Sequence, residues 1–169
     1  MSIDPAGQGA LPGDIGSIAT GLQASSIRKR REAAADLGRT GNLLAIPHLA
    51  AALSDPHPGV RCDSVQALGR LADSSAVPAL VRALDDAEPE VRAAALAALG
   101  KIRDPGSAPA VARLLQDREY QVRLGAIVVL GRVGDLRSVA SLERMAGDPF
   151  SEIREAAEAA IIQIRKRRH

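Results

Sequence analysis

The chain repeats itself every 31 residues, and that period limits its fold more than any other feature. A Leu-Gly pair falls at Leu37-Gly38, Leu68-Gly69, Leu99-Gly100 and Leu130-Gly131. A Val-Arg or Ile-Arg pair falls at Val60-Arg61, Val91-Arg92, Val122-Arg123 and Ile153-Arg154. Pro47, Pro78 and Pro109 recur at the same spacing, as do Asp55, Asp86, Asp117 and Asp148. A fixed period of this length marks a solenoid, in which each unit buries its apolar face on its neighbours.

Each unit reads as two helices. In the third, Ser74 and Ser75 stand where a cap is expected and Pro78 lies in the first turn, where its missing N–H costs nothing. Val77, Leu80, Val81 and Leu84 form a stripe at i, i+3, i+4 and i+7. Asp85 to Pro89 break it, and Val91, Ala94, Ala95, Ala98, Leu99 and Ile102 form a second stripe. Gly100 lies near its end, as a C-terminal glycine would, and Asp104-Pro105 stops it. Shifting this template predicts a first helix (A) near 14–23, 43–53, 74–84, 105–115 and 136–146. A second helix (B) is expected near 26–38, 58–70, 89–102, 120–133 and 151–166. Lys29 stands in the first unit where the others have Val or Ile, as in an exposed cap. In the last unit Ala140 and Ala146 replace Pro and Leu, so its helix A is expected to pack less firmly.

The apolar content of 46% suffices for a core, yet Tyr120 and Phe150 are the only aromatic residues, so Ala, Leu, Val and Ile do the packing. The net charge of +2 dictates neither a nucleic-acid nor a membrane partner. Its basic part gathers at Arg28 to Arg31 and Arg165 to Arg168. The single Cys62 cannot form an internal disulfide, which fits a reducing compartment. The first residues lack the pattern of a signal peptide, and no stretch approaches 18 consecutive apolar residues, so a cytoplasmic location without membrane insertion is the expectation. Residues 1–13, rich in Gly and Pro, read as a flexible arm. Residues 14–169 read as one repeat domain of units 14–41, 42–72, 73–103, 104–134 and 135–166, with a basic C-terminal tail.

The strings Asp86-Ala87-Glu88-Pro89-Glu90-Val91-Arg92-Ala93-Ala94-Ala95-Leu96-Ala97-Ala98-Leu99-Gly100 and Asp55-Pro56-His57-Pro58-Gly59-Val60-Arg61 resemble the HEAT-repeat family. The likeness runs over residues 14–166 and is narrowest to the short bacterial HEAT-like repeats of phycobilin lyases. It implies an all-α, right-handed solenoid of about five helical hairpins with B helices lining the concave side. It is unspecific for activity. The family includes chromophore lyases and their chaperones, a di-iron hydroxylase, DNA glycosylases and many scaffolds.

Chemistry finds little support in the residues. The Asp row (Asp55, Asp86, Asp117, Asp148) and the Arg row (Arg30, Arg61, Arg92, Arg123, Arg154) are expected to form a structural ladder of charge-assisted hydrogen bonds. A metal site needs converging ligands; His48, His57 and His169 lack a following Glu and helical i, i+4 spacing, so no metal, cofactor or di-iron activity is expected. Cys62 shares its column with Arg31, Ala93, Leu124 and Glu155, a variable set that predicts a surface position rather than a nucleophile's. The near absence of aromatic residues argues against base stacking.

Core positions repeat in type between units, whereas solvent positions are free to vary. Two variable columns on helix B are Arg31, Cys62, Ala93, Leu124, Glu155 and Ala35, Gln66, Ala97, Val128, Ala159. Their centre is apolar and flanked by opposite charges, which suggests a protein-interaction patch without Trp or Tyr. The expected function is therefore a non-enzymatic adaptor that docks a protein or peptide on its concave face. Its candidate contacts are Arg31, Gln66, Ala93, Ala97, Leu124, Val128 and Glu155. Two alternatives remain open. The basic row Arg39, Arg70, Lys101 and Arg132, with Arg165 and Arg167, could track phosphates, its competing explanation being complementarity to helix dipoles. The resemblance also admits a phycobilin-lyase-like subunit or chaperone. Self-association through the terminal repeats is a further expectation.

Overall fold

The computed structural model describes residues 14–167, so the expected arm at 1–13 and the tail residues Arg168 and His169 lie outside the described residues. Five helical hairpins follow one another. The A helices are α1 (Ile15–Thr20), α3 (Ile46–Ala52), α5 (Val77–Ala83), α7 (Ala108–Arg113) and α9 (Leu136–Glu143). The B helices are α2 (Ile27–Arg39), α4 (Pro58–Leu71), α6 (Pro89–Ile102), α8 (Tyr120–Val133) and α10 (Ser151–Lys166). Single 3-10 turns extend the A helices, as at Leu43–Ala45 before α3 and Arg144–Gly147 after α9. The helices fall where the 31-residue template places them, because Pro, cap and turn residues punctuate each unit at the same offsets.

The cap of the third A segment differs from expectation by one residue. Asp73, not Ser74 or Ser75, accepts the first N–H of the third unit (from Ser75 N, 2.9 Å). Asn42 and Asp104 do the same for Leu44 and Gly106, and Asp135 for Arg137. Asp14 caps α1 through Gly16 and Ser17.

The Leu of each Leu-Gly pair is core: Leu37, Leu68, Leu99 and Leu130 are fully buried. The Gly serves the stack rather than the helix end. A Cβ at Gly38 would lie 2.6 Å from the Cβ of Ala67 on the next B helix, and one at Gly69 would lie 2.8 Å from that of Ala98. Gly100 is thus an interior crossing point, and the expected C-terminal role passes to Ala72 and Arg103, which adopt φ of 52° and 59°. Consecutive B helices pack against each other along most of their length, while consecutive A helices touch only locally. A stack crowded on its B side and splayed on its A side curves toward B.

In the last unit, Leu142 and Met145 are buried and hold α9 down, while Ala146, at the missing Leu position, is exposed. A cleft of 310 Å³ lies between α9 and α10, lined by Leu142, Ala146, Arg154, Ala157 and Ile161.

Candidate binding face

The Asp and Arg rows meet between units, each arginine reaching the following unit. Arg61 donates from Nε and Nη2 to both oxygens of Asp86 (2.7 and 2.8 Å), and Arg92 does so to Asp117 (2.8 and 2.8 Å). Arg30–Asp55 repeats the fork at 2.7 and 3.0 Å, and Arg123–Asp148 is loosest, at 2.9 and 3.5 Å. The remaining nitrogen, Nη1, donates to carbonyls of the arginine's own turn, such as Asp86 and Ala87 for Arg92 (2.9 and 3.1 Å). Each aspartate also accepts the N–H two residues on, as Asp117 does from Glu119 (2.9 Å). One rung therefore fixes two turns at once.

Electrostatics follow this geometry. Burial disfavours ionised Asp86, Asp117 and Asp148, but the arginine fork and the backbone N–H outweigh it and hold each below the usual carboxylate range. At Asp55 the fork from Arg30 is the dominant cause of the same shift. Arg154 keeps its carbonyl contacts, to Asp148 and Pro149 (2.8 and 3.1 Å), but has no carboxylate partner among the described residues.

The face of the B helices holds the expected contact residues, at two depths. Gln66, Ala97 and Val128 are exposed, Val128 by 44%. Ala93 and Leu124 are half-buried and pack partly against the core, contrary to the expectation that they stand clear of it. Cys62 shares this depth, contrary to its expected surface position. Burial is the main influence pushing its thiol up, away from the reactive thiolate. Arg31 is paired with Asp63 at 2.7 Å, so it is no free flanking charge, whereas Glu155 is exposed with no ion-pair partner among the described residues.

Sequence reasoning missed the aromatic edge. Tyr120 lies one turn before Leu124 on α8, and Phe150, ahead of α10, meets it at a centroid distance of 4.9 Å. Arg123 lies 5.8 Å from the Phe150 ring centre. Tyr120, Leu124 and Val128 are spaced i, i+4, i+8, a signal already present in the sequence, but Phe150 is brought in only by stacking.

The basic row divides. Arg39 pairs with Asp36, and Arg165 with Glu143 at 3.2 Å. Arg167 donates to the carbonyls of Arg132 and, at 2.8 Å, Gly134, capping the end of α8. Arg70, Lys101 and the side chain of Arg132 are exposed without ion pairs among the described residues. Among the described residues no three metal-ligand side chains converge, and no helix is long and apolar enough to cross a membrane.

A family model described as HEAT repeats matches residues 17–89 and 78–162. The chain belongs to the HEAT-repeat family. This HEAT solenoid is similar to a chain in the complex of CpcE and CpcF of phycocyanin lyase from Nostoc sp. PCC7120. The identity is 26% with a TM-score of 0.78, covering 98% of this chain and 71% of that one. It also resembles a designed armadillo repeat protein in complex with the peptide (KR)4, at 20% identity and a TM-score of 0.70, over 90% and 82% of the two chains. Human deoxyhypusine hydroxylase shares the fold at 18% identity and a TM-score of 0.50, over 92% and 86%. No curated protein matches the chain.

Proposed function

We propose that this HEAT solenoid is a non-enzymatic scaffold that docks a helix or peptide of a partner protein on its B face. The observation that carries the reading is the exposed apolar row Ala97–Val128, continuous with half-buried Ala93, Leu124 and Tyr120, on a layer held rigid by the ladder. A preformed rigid face binds at small ordering cost. The (KR)4 complex of the designed armadillo protein supports the reading at the level of fold. The contacts proposed are Gln66, Ala97, Leu124, Val128 and Glu155, with Tyr120 and Phe150 added at one edge.

The test is affinity capture with the wild-type chain beside Val128→Lys, with thermal melts of both. A protein captured only by the wild type, with equal melting, supports the reading; identical captures overturn it. A substitution at Leu124 would serve less well, because that side chain also contributes to packing.

The phosphate-tracking alternative is weakened by the engagement of Arg39, Arg165 and Arg167 within the chain. A second reading is favoured by the likeness to the phycocyanin lyase chain over 98% of this one: a subunit or chaperone of bilin attachment working through the same face. Co-expression with a bilin and its apoprotein tests it, read out as chromophore absorbance on the apoprotein.

A further inference from the structure

The solvent-facing stripe of α6 runs Glu90, Ala93 and Ala94, Ala97, Lys101, that is, acid, small apolar residues, base. Neighbouring helices extend both ends of that pattern. Glu119, Glu152 and Glu155 lie near the N-termini of α8 and α10, while Arg70 and Arg132 lie near the C-termini of α4 and α8. All seven of these rim charges are exposed. Apart from Glu119, which pairs with Arg118, none has an ion-pair partner among the described residues. Between the rims lie Ala97 and Val128, with Leu124 and Gly125 half-buried beside them.

The dimensions suit one occupant. Glu90 and Lys101 stand eleven positions apart on one helix, or about 16 Å at 1.5 Å per residue. An α-helix with its side chains is about 10–12 Å across. We infer that the B-face groove of units two to five takes an amphipathic helix lying across the B helices, its apolar stripe on the Ala97–Val128 floor. One flank of that helix is basic and faces the glutamate rim; the other is acidic and faces the Arg70–Lys101–Arg132 rim. This inference rests on the proposed reading of the B face as a docking surface. The rims also fix the direction of the bound helix, since reversing it end for end would oppose like charges. A nucleic-acid backbone fits worse, because the rim opposite the arginines carries its own negative charge.

The experiment uses three synthetic helical peptides of about 18 residues, long enough to cross three B helices at the usual spacing of roughly 9 Å. They share one apolar stripe and carry Lys on one flank and Glu on the other, Lys on both, or Glu on both. Binding to the full chain is read by fluorescence anisotropy at low salt. The Lys/Glu peptide is expected to bind about tenfold tighter than either other, the scale of a few exposed ion pairs. The double variant Lys101→Glu, Arg132→Glu, which leaves Arg70 as the one base of that rim and turns its centre acidic, is expected to prefer the Lys/Lys peptide instead. An unchanged order of the three peptides in that variant, or a Lys/Glu peptide that is not the tightest on the wild type, overturns the rim inference. If Val128→Lys still weakens every peptide, the docking face survives that failure. Absence of binding by all three, or binding indifferent to Val128→Lys, overturns the face itself.

Discussion

At the scale of single residues, the ladder decides how stability depends on pH. Arg92 is buried to 7% exposure and its charge is met by Asp117. Asp117→Asn leaves that guanidinium without a counter-charge, and the expected loss is about 2 kcal/mol of unfolding free energy at neutral pH, the scale of a hydrogen bond to a charged group. Urea denaturation measures it. The rung aspartates have folded-state pKa values below the ordinary range, so they contribute fully above about pH 4 and lose that contribution as pH falls through their folded values. Asp117→Asn is therefore expected to flatten the acid limb of the stability profile. Superimposable acid limbs would mean the rung is not its source. Ser64 makes the opposite case. Its column is otherwise Ala33, Ala95, Ala126 and Ala157, and its buried hydroxyl has no hydrogen-bond partner. Ser64→Ala is expected to raise stability by about 1 kcal/mol, measured in the same way.

At the scale of elements, the Leu-Gly signature is a statement about helix crossing. Alanine is favoured over glycine in a helix by about 1 kcal/mol, so Gly69→Ala in α4 would gain by propensity alone. The 2.8 Å approach to Ala98, itself backed by the α6 backbone, reverses the sign. A net loss of about 2 kcal/mol is expected. Gly16→Ala in α1, where the added Cβ meets only the Asp14 side chain at 3.6 Å, is expected to be neutral or stabilising. Thermal melts of the two variants compare them, and equal shifts would dismiss the crossing argument. Helix positions were legible in the sequence because Pro, Asp and Gly recur at fixed offsets, each acting locally. The role of Gly100 was not, since a glycine near a helix end and a glycine at a crossing look alike until the neighbouring helix is present. The depth of Leu124 and Ala93 was hidden for the same reason: variation between units distinguishes variable from repeated positions, not exposed from half-covered ones. The glutamate rim escaped because Gln121 interrupts the column of Glu90 and Glu152, and Glu119 and Glu155 lie in two other columns, so they form no row.

At the scale of the whole molecule, a stack of identical units could grow without limit, and the two ends of this one differ from its middle where growth would occur. An interior junction needs three things: a turn aspartate to fill the preceding arginine fork, a glycine on one B helix, and a small or apolar residue opposite it on the next. The C-terminal unit offers the Arg154 fork, but Ile162 occupies the glycine position and is 48% exposed. The first unit has Ala24 where the aspartate would be and Asp36 where Ala67, Ala98, Val129 and Ala160 lie in later units. A second copy added head to tail would leave the fork empty and press an isoleucine onto a carboxylate. Head-to-tail stacking of two copies is thus expected to be disfavoured by the residues that would meet, in the way terminal repeats limit growth. The wild-type chain is expected to show no concentration-dependent growth of head-to-tail species in sedimentation velocity. Ala24→Asp, Asp36→Ala and Ile162→Gly together restore all three requirements, and the triple variant is expected to form larger species as concentration rises. Adding Arg154→Ala to it empties the new rung and is expected to reverse much of that growth. Polymers formed by the wild type, or a triple variant that sediments like it, would show that these end residues do not govern stacking.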